Sequence, residues 1–258
     1  MTTPVRTDLA PYRIAVAELP ASAVASRDVD GAVAVVAGVR AWWQAAADAS
    51  AGGAAAVVVA QPAAAPVEAL DALASVADAT PVVLERPLLR ADVVAAIGGA
   101  FEGVPAAGAL AVECHAPDLT LAVALRDAIG WARVLAGGPL TLRAGESWGG
   151  RVLGLLETEH GAAVSIVAAP QPGAPSLGRV RITTIAEVRV EVDADLDTAL
   201  VITDAEGRSI LPARFESSER VALRRAITAV RTAERPFDLA DLRHDTALAE
   251  ALLSAPTA

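Results

Sequence analysis

Three short apolar runs in this chain each end on side chains able to do chemistry. Val82–Leu84 runs into Glu85-Arg86-Pro87, Ala55–Ala60 into Gln61-Pro62, and Leu110–Cys114 into His115. A carboxylate at the end of a buried strand can take or give a proton or hold a hydroxyl group. Arginine keeps its charge near neutral pH, so Arg86 cannot relay protons, but its planar fork can clamp a carboxylate or phosphate. Glu85 and Arg86 therefore read either as an anion or polyol site at the carboxyl end of a sheet, or as an ion-paired turn that fixes Pro87. His115 either lines the same cleft or caps Asp118 from a loop. Cys114 and His115 point to opposite faces of a strand, so they do not grip one metal together.

Other candidates have plainer readings. His160 sits in a Glu159-His160-Gly161 turn, where solvent exposure is expected. His244-Asp245 reads as part of a solvated helix face, because neighbouring helical residues diverge. There is no Gly-x-Ser-x-Gly elbow, no Walker loop and no metal-ligating histidine spacing. Of the adjacent Trp42 and Trp43, one ring is expected in the core and the other at an interface or ligand edge.

The elements that must position these residues fall into two groups. From Tyr12 to Glu113, apolar runs at Arg13–Leu19, Ala32–Ala37, Ala55–Ala60, Val82–Leu84 and Leu110–Cys114 read as strands covered on both faces. Between them, Arg40–Ala49, Val67–Ala77 and Ala91–Ile97 read as helices. This alternation predicts a Rossmann-like parallel sheet over residues 1–115. A helix capped by Asp118 and stopped by Gly137-Gly138-Pro139 follows, with Leu121, Leu125, Ala128, Ala132 and Leu135 as its apolar stripe. Thereafter the period becomes two, in strands at Arg151–Glu157, Ala162–Ala168, Arg179–Ile185, Glu187–Asp193, Ala199–Thr203 and Ser209–Leu211. Two helices close the chain, the first with its stripe at Leu223, Ala226, Ile227 and Val230. The expected fold is thus α/β: a Rossmann-like domain, then an α+β domain over 116–258 with a mostly antiparallel open sheet. Val188, Val190 and Val192 alternate cleanly there and mark the expected association face.

Composition narrows the function. The chain has 258 residues and a formal net charge of -10; its 21 basic residues are all arginine. Such a charge opposes phosphate-backbone binding, so nucleic acid is not an expected partner. Pro62 ends the most apolar run well short of the ~20 residues a membrane helix needs, so no membrane association is expected and the cytoplasm is the default location. The single cysteine leaves no internal disulfide and no thiol cluster for zinc.

In their order, these segments resemble the glucose–fructose oxidoreductase/inositol dehydrogenase/MocA family of nicotinamide-dependent oxidoreductases. Ala55–Pro62 resembles the family strand that ends beside the nicotinamide ribose, and Val82–Leu88 the strand that ends in Glu-Lys-Pro. Ala111–Glu113, Leu125-Arg126, Gly137–Pro139 and Leu223–Leu253 match later pieces. The resemblance implies NAD or NADP as cofactor, Gln61, Pro62 and Glu85 near it, and Glu85, Arg86 and His115 as catalytic candidates. It also implies an open sheet that mediates self-association or pairing with a paralogue. Three departures stand out. Arg86 occupies the place of the family's lysine. Glu18–Ala23, expected after the first strand, has no glycine for a Gly-x-Gly-x-x-Gly turn, and Asp28 or Asp30 only loosely matches the ribose-binding acid. The helix that carries an Asp and a His in the second domain has no counterpart near Ser147–Gly150. The sequence thus points to a relative that has lost hydride transfer but keeps a sugar-like or anionic ligand or a protein partner. The alternative is an active NAD(P)-dependent sugar or polyol dehydrogenase with an atypical cofactor turn.

Overall fold

The computed structural model describes residues 2–76, 80–100, 108–195, 197–212 and 215–257. The chain divides into two compact units, Met1–Arg86 with Phe215–Arg243, and Pro87–Arg214 with His244–Ala258. The expected cut after residue 115 is not where these units part. One helix late in the sequence and the start of the last one complete the first unit, and the strand expected to end it belongs to the second.

The first unit is built on five parallel strands, β1 (Thr3–Arg6), β2 (Ala23–Ser26), β3 (Val33–Ala37), β4 (Ala56–Ala60) and β5 (Val82–Glu85), in the order β2-β1-β3-β4-β5. Helices α1 (Ala10–Ala17) and α6 (Ser218–Thr232) cover one face. Helices α2 (Trp42–Ala51) and α3 (Val67–Val76), with the start of α7 (Asp238–Leu253), cover the other. Side chains alternate along each strand: Val33, Val35, Val58 and Val83 face α1 and α6, while Ala34, Val57, Val59 and Leu84 face α2 and α3. This two-sided burial is why the strands read as unbroken apolar runs.

One connection is unusually short. Parallel strands ordinarily need a crossover of a dozen or more residues, often a helix. Here β2 reaches β3 through Arg27–Ala32 alone. Ser26 pairs with Arg6 and Ala25 with Val5, while Val33 also pairs with Val5, so β3 begins one rung below the end of β2. Six residues suffice because the chain need not descend the full strand. Val29 of this strap packs into the core on the α2/α3 side, in place of a helix. The outer edge of β5 is closed too: Leu84 N–H donates to Asp238 Oδ2 at 2.8 Å, and Arg225 forks onto the same carboxylate at 2.9 and 2.7 Å.

The second unit holds an eight-stranded sheet made of β6 (Ala109–Ala116), β7 (Leu140–Trp148), β8 (Arg151–Thr158), β9 (Ala163–Pro170), β10 (Arg179–Ile185), β11 (Arg189–Ala194), β12 (Thr198–Asp204) and β13 (Gly207–Ile210). Neighbouring strands are antiparallel except β6 and β9. Helix α5 (Leu121–Leu135), α4 (Ala91–Ala100) and the later turns of α7 contribute to the core over one face. The stripe expected for α5 is buried at Leu121, Leu125, Ala128 and Ala132, and a buried Trp131 donates its indole N–H to Leu88 O at 2.5 Å. No helix among the described residues is long and apolar enough to cross a membrane.

The structure revises several local expectations. Arg13–Leu19 is not a strand: α1 runs through it, with Pro11 in its first turn and Tyr12, Ala15 and Val16 buried at helical spacing. The true first strand is β1, so the turn that follows it is Thr7–Leu9 rather than Glu18–Ala23. Leu110–Cys114 is a strand, but it lies in the antiparallel sheet between β10 and β9. Leu140–Trp148 is an additional strand, turned into β8 by Gly149 and Gly150, both at positive φ (53° and 76°), as a two-residue hairpin requires. Val190 and Val192 are buried in the core, so they do not form an association face. That sheet's open face instead exposes Leu153, Leu155 and Val167 beside charged residues such as Arg181. The two closing helices stand as expected.

Candidate functional site

In an open α/β sheet, ligands bind beyond the carboxyl ends of the strands where the strand order reverses. Here the chain leaves β1 to one side for β2 and returns to the other side for β3, so the reversal lies between β1 and β3. A cavity of about 270 Å³ opens at that place. Its polar wall is Tyr12, Gln61, Glu85 and Glu219; its apolar rim is Leu9, Pro11, Ala37, Val39 and Ala60.

Glu85 is the centre of the polar wall and is 3 % exposed. It shares the parity of Val83 along β5, so it projects to the α1/α6 face. There, Tyr12 Oη donates to Glu85 Oε2 at 2.9 Å and Ser218 Oγ donates to Oε1 at 2.6 Å. The Gln61 side chain lies close by and also favours the charged carboxylate. Burial pushes the Glu85 carboxyl above the usual glutamate range, and Glu219 pushes the same way, while Ser218, Tyr12 and Gln61 resist. Burial, then the neighbouring Glu85 charge, raises the Tyr12 phenol well above its ordinary value, so it remains a donor. Glu219 stands in the first turn of α6, where the helix dipole favours a carboxylate.

The backbone closes the floor. Gly38 N–H donates to Ala60 O at 2.7 Å, and Ala63 N–H donates to Gly38 O at 2.7 Å. A Cβ on Gly38 would sit 2.3 Å from Ala60 O and 2.4 Å from Gln61 O. Gln61 itself holds a left-handed backbone, φ 50°, a conformation that a non-glycine residue adopts at some cost.

The turn between β1 and α1 occupies the place of a dinucleotide-binding fold's phosphate cradle. Such a cradle uses glycines for close approach and free N–H groups at a helix N-terminus. Here the turn is Thr7-Asp8-Leu9. Leu9 N–H is engaged by Thr7 Oγ1 at 3.2 Å, Asp8 is ion-paired with Arg6 at 2.6 Å, and Pro11 has no N–H to offer. Without a glycine, and with the Asp8 and Glu219 carboxylates close by, these residues do not fit a pyrophosphate.

Of the residues singled out from the sequence, Glu85 and Gln61 line the cavity. Pro62 and Arg86 are both buried but do not line it, and Arg86 is 8 % exposed. His115 lies on β6 in the second unit, opposite Arg179 and Ala169. Beside it, Cys114 is fully buried, its thiol pushed up to about 12 by burial and the Asp127 charge, which leaves it unreactive. His160 is exposed, as expected. Trp42 is buried and donates to Ala63 O at 3.1 Å, with Trp43 edge-on to it at 6.1 Å. His244-Asp245 departs from its expected solvated face. Asp245 is 0 % exposed, bonded by Arg133 at 3.0 Å, and His244 bridges it to the Leu140 backbone. Tyr12, Ser218 and Glu219 were not candidates on sequence. Tyr12 and Ser218 lie 73 and 133 positions from Glu85, and no local pattern announces such partners.

No family model matches the chain, and no curated protein matches it in sequence. Solved structures do match its fold. The UDP-N-acetylglucosamine 3-dehydrogenase GnnA from Acidithiobacillus ferrooxidans aligns at a TM-score of 0.71 and 15% identity, over 99% of this chain and 97% of its own. KijD10, a 3-ketoreductase from Actinomadura kijaniata, solved with TDP-benzene and NADP, aligns at 0.70 and 15%, over 100% and 98%. A dehydrogenase from Chromobacterium violaceum aligns at 0.69 and 16%, over 98% and 86%. The chain therefore shares the fold of these two dehydrogenases and the ketoreductase.

Proposed function

We propose that this chain has the fold of a sugar dehydrogenase without its hydride transfer, and holds a small hydroxylated ligand in the cavity between β1 and β3. One observation carries the reading: the Thr7-Asp8-Leu9 turn between β1 and α1, where a dinucleotide would bring its phosphates, has no glycine and carries the Asp8 carboxylate, while Glu219 lines the cavity beside it. Arg86 cannot serve as the proton relay that a lysine provides. Hydroxyl groups, by contrast, suit a wall of carboxylate, amide and phenol, so the sugar-like half of the expected ligand range is favoured over the anionic half. The name of one neighbour, the UDP-N-acetylglucosamine 3-dehydrogenase, agrees with a sugar-like ligand, and the resemblance to the glucose–fructose oxidoreductase family agrees with the ancestry.

A second role rests on the open face of the eight-stranded sheet. Leu153 and Val167 are cross-strand partners there, both more than two-fifths exposed. Next to them run Glu113, Arg181 and Asp193 on β6, β10 and β11. An apolar half bordered by both signs of charge is self-complementary, so a second copy of the chain, related by a two-fold axis, is the proposed occupant.

Calorimetric titration of the full chain with NAD(H) and NADP(H) tests the main reading. The expected outcome is no binding at millimolar cofactor. Micromolar binding would overturn it and establish the rival, an active dehydrogenase with an atypical turn, which a polyol-oxidation screen would then pursue.

A further inference from the structure

The same cavity says more about its ligand than its place in the sheet does. Its volume, about 270 Å³, falls just below the roughly 300–1,000 Å³ of sites for drug-sized ligands, which suits a molecule the size of one sugar. Its walls are chemically one-sided. Both carboxylates, Glu85 and Glu219, face it, together with the phenol of Tyr12 and the amide of Gln61, and no arginine is among the described residues that line it. Glu85 receives its two shortest hydrogen bonds from neutral hydroxyl groups, Tyr12 and Ser218. Such donors share a carboxylate's charge without cancelling it, and a buried charge left uncancelled is costly. A ligand that brings its own positive charge would offset that cost and gain a charge-assisted hydrogen bond. A ligand with a carboxylate or phosphate would add a third negative charge to the wall. The apolar rim of Leu9, Pro11 and Val39 suits the carbon face of a polyol.

We infer that the cavity between β1 and β3 selects a small hydroxylated organic cation, an amino sugar or amino polyol, with Glu85 and Glu219 as the charge-recognising pair. The inference rests on the proposed loss of the dinucleotide. It adds the ligand's charge, which the fold alone does not specify.

Three molecules of nearly the same shape separate the possibilities: glucamine, a cation at neutral pH, sorbitol, neutral, and gluconate, an anion. Each is titrated by calorimetry into the full chain at neutral pH. Glucamine should bind about ten-fold or more tightly than sorbitol, the size of one charge-assisted hydrogen bond. Gluconate should bind more weakly still or not at all. Glu219→Gln, at a half-buried position, should keep the fold and cut the glucamine preference. Glu85→Gln should lower glucamine affinity more than sorbitol affinity and so close the gap between them. Equal affinities for the three, a preference for gluconate, or no heat from any of them at millimolar concentration would overturn the inference. The dinucleotide titration keeps the two claims apart. Cofactor binding sinks the reading on which this one rests, whereas silence towards both cofactor and glucamine sinks this one alone.

Discussion

Tyr12→Phe tests the site most directly. It removes one oxygen, 2.9 Å from Glu85 Oε2, and keeps a ring that is 1 % exposed and packed among Val5, Ala15 and Leu223. The apolar burial is unchanged, so the loss is that of a hydrogen bond to a buried carboxylate, about 1.5–3 kcal/mol. In the folding equilibrium that is roughly a ten- to 150-fold change. The dependence on pH distinguishes this from a general packing defect. Glu85 has a folded-state pKa above its unfolded one, so the folded chain holds the extra proton in the window between them. The wild-type protein therefore gains stability as pH falls through the raised value towards the unfolded pKa of about 4.3, and loses it as pH rises. Deleting a donor to the ionised form raises the folded pKa further. The penalty of Tyr12→Phe should be full at neutral pH and shrink on acidification, as the carboxyl becomes neutral and needs fewer donors. Urea unfolding across that range measures it. A penalty that is the same at every pH, or below about 0.5 kcal/mol at neutral pH, would refute the claim that the phenol holds a charged Glu85.

Gly38→Ala should be among the most damaging single changes in the first unit, because the added carbon meets backbone oxygens at 2.3 and 2.4 Å; a loss above about 4 kcal/mol or failure to fold is expected by thermal unfolding. The His244 ring, hydrogen-bonded to Asp245 and to the Leu140 backbone, has a raised pKa. Its contribution is full below the unfolded value of about 6.5 and is lost as pH rises through the folded one, so His244→Gln should flatten stability in that window and leave the Glu85 window untouched. Leu155→Glu, on the open sheet face, should leave folding intact and abolish self-association in sedimentation velocity; unchanged sedimentation would exclude that face as the contact.

The sequence carried the parallel core well where valines crowd together. Val33–Ala37, Ala56–Ala60 and Val82–Glu85 are strands because β-branched residues buried on both faces leave few other readings. It failed where alanine erased the contrast. In Ala10–Ala17 the spacing Tyr12, Ala15, Val16 is helical, but it competes with the apolar run Ile14–Ala17, and only tertiary packing decides. Thr3–Arg6 is too short, with a proline inside it, to announce a strand. The assignment of β6 was recoverable. Leu110, Val112, Cys114 and Ala116 are buried and alternate with Glu113 and His115, the period-two signature of a sheet open on one face rather than of a strand covered on both. Half of the site was visible, as Glu85 and Gln61 at strand ends. The other half comes from α1 and α6, at opposite ends of the chain, and no spacing rule connects them.

The division of the chain into interleaved segments has a consequence for synthesis. The face of the parallel sheet that carries Val33, Val58 and Val83 is covered partly by Ala222, Leu223, Ala226 and Ile227 of α6. On the ribosome, those residues emerge only after all of Pro87–Arg214 has been made. At about 5–20 residues per second this leaves a valine-rich surface bare for on the order of ten seconds. The first unit therefore cannot finish folding as it leaves the tunnel, and a fragment ending near residue 115 would expose that surface permanently. Until α6 arrives, the nascent chain depends on chaperones or on transient collapse to avoid aggregation.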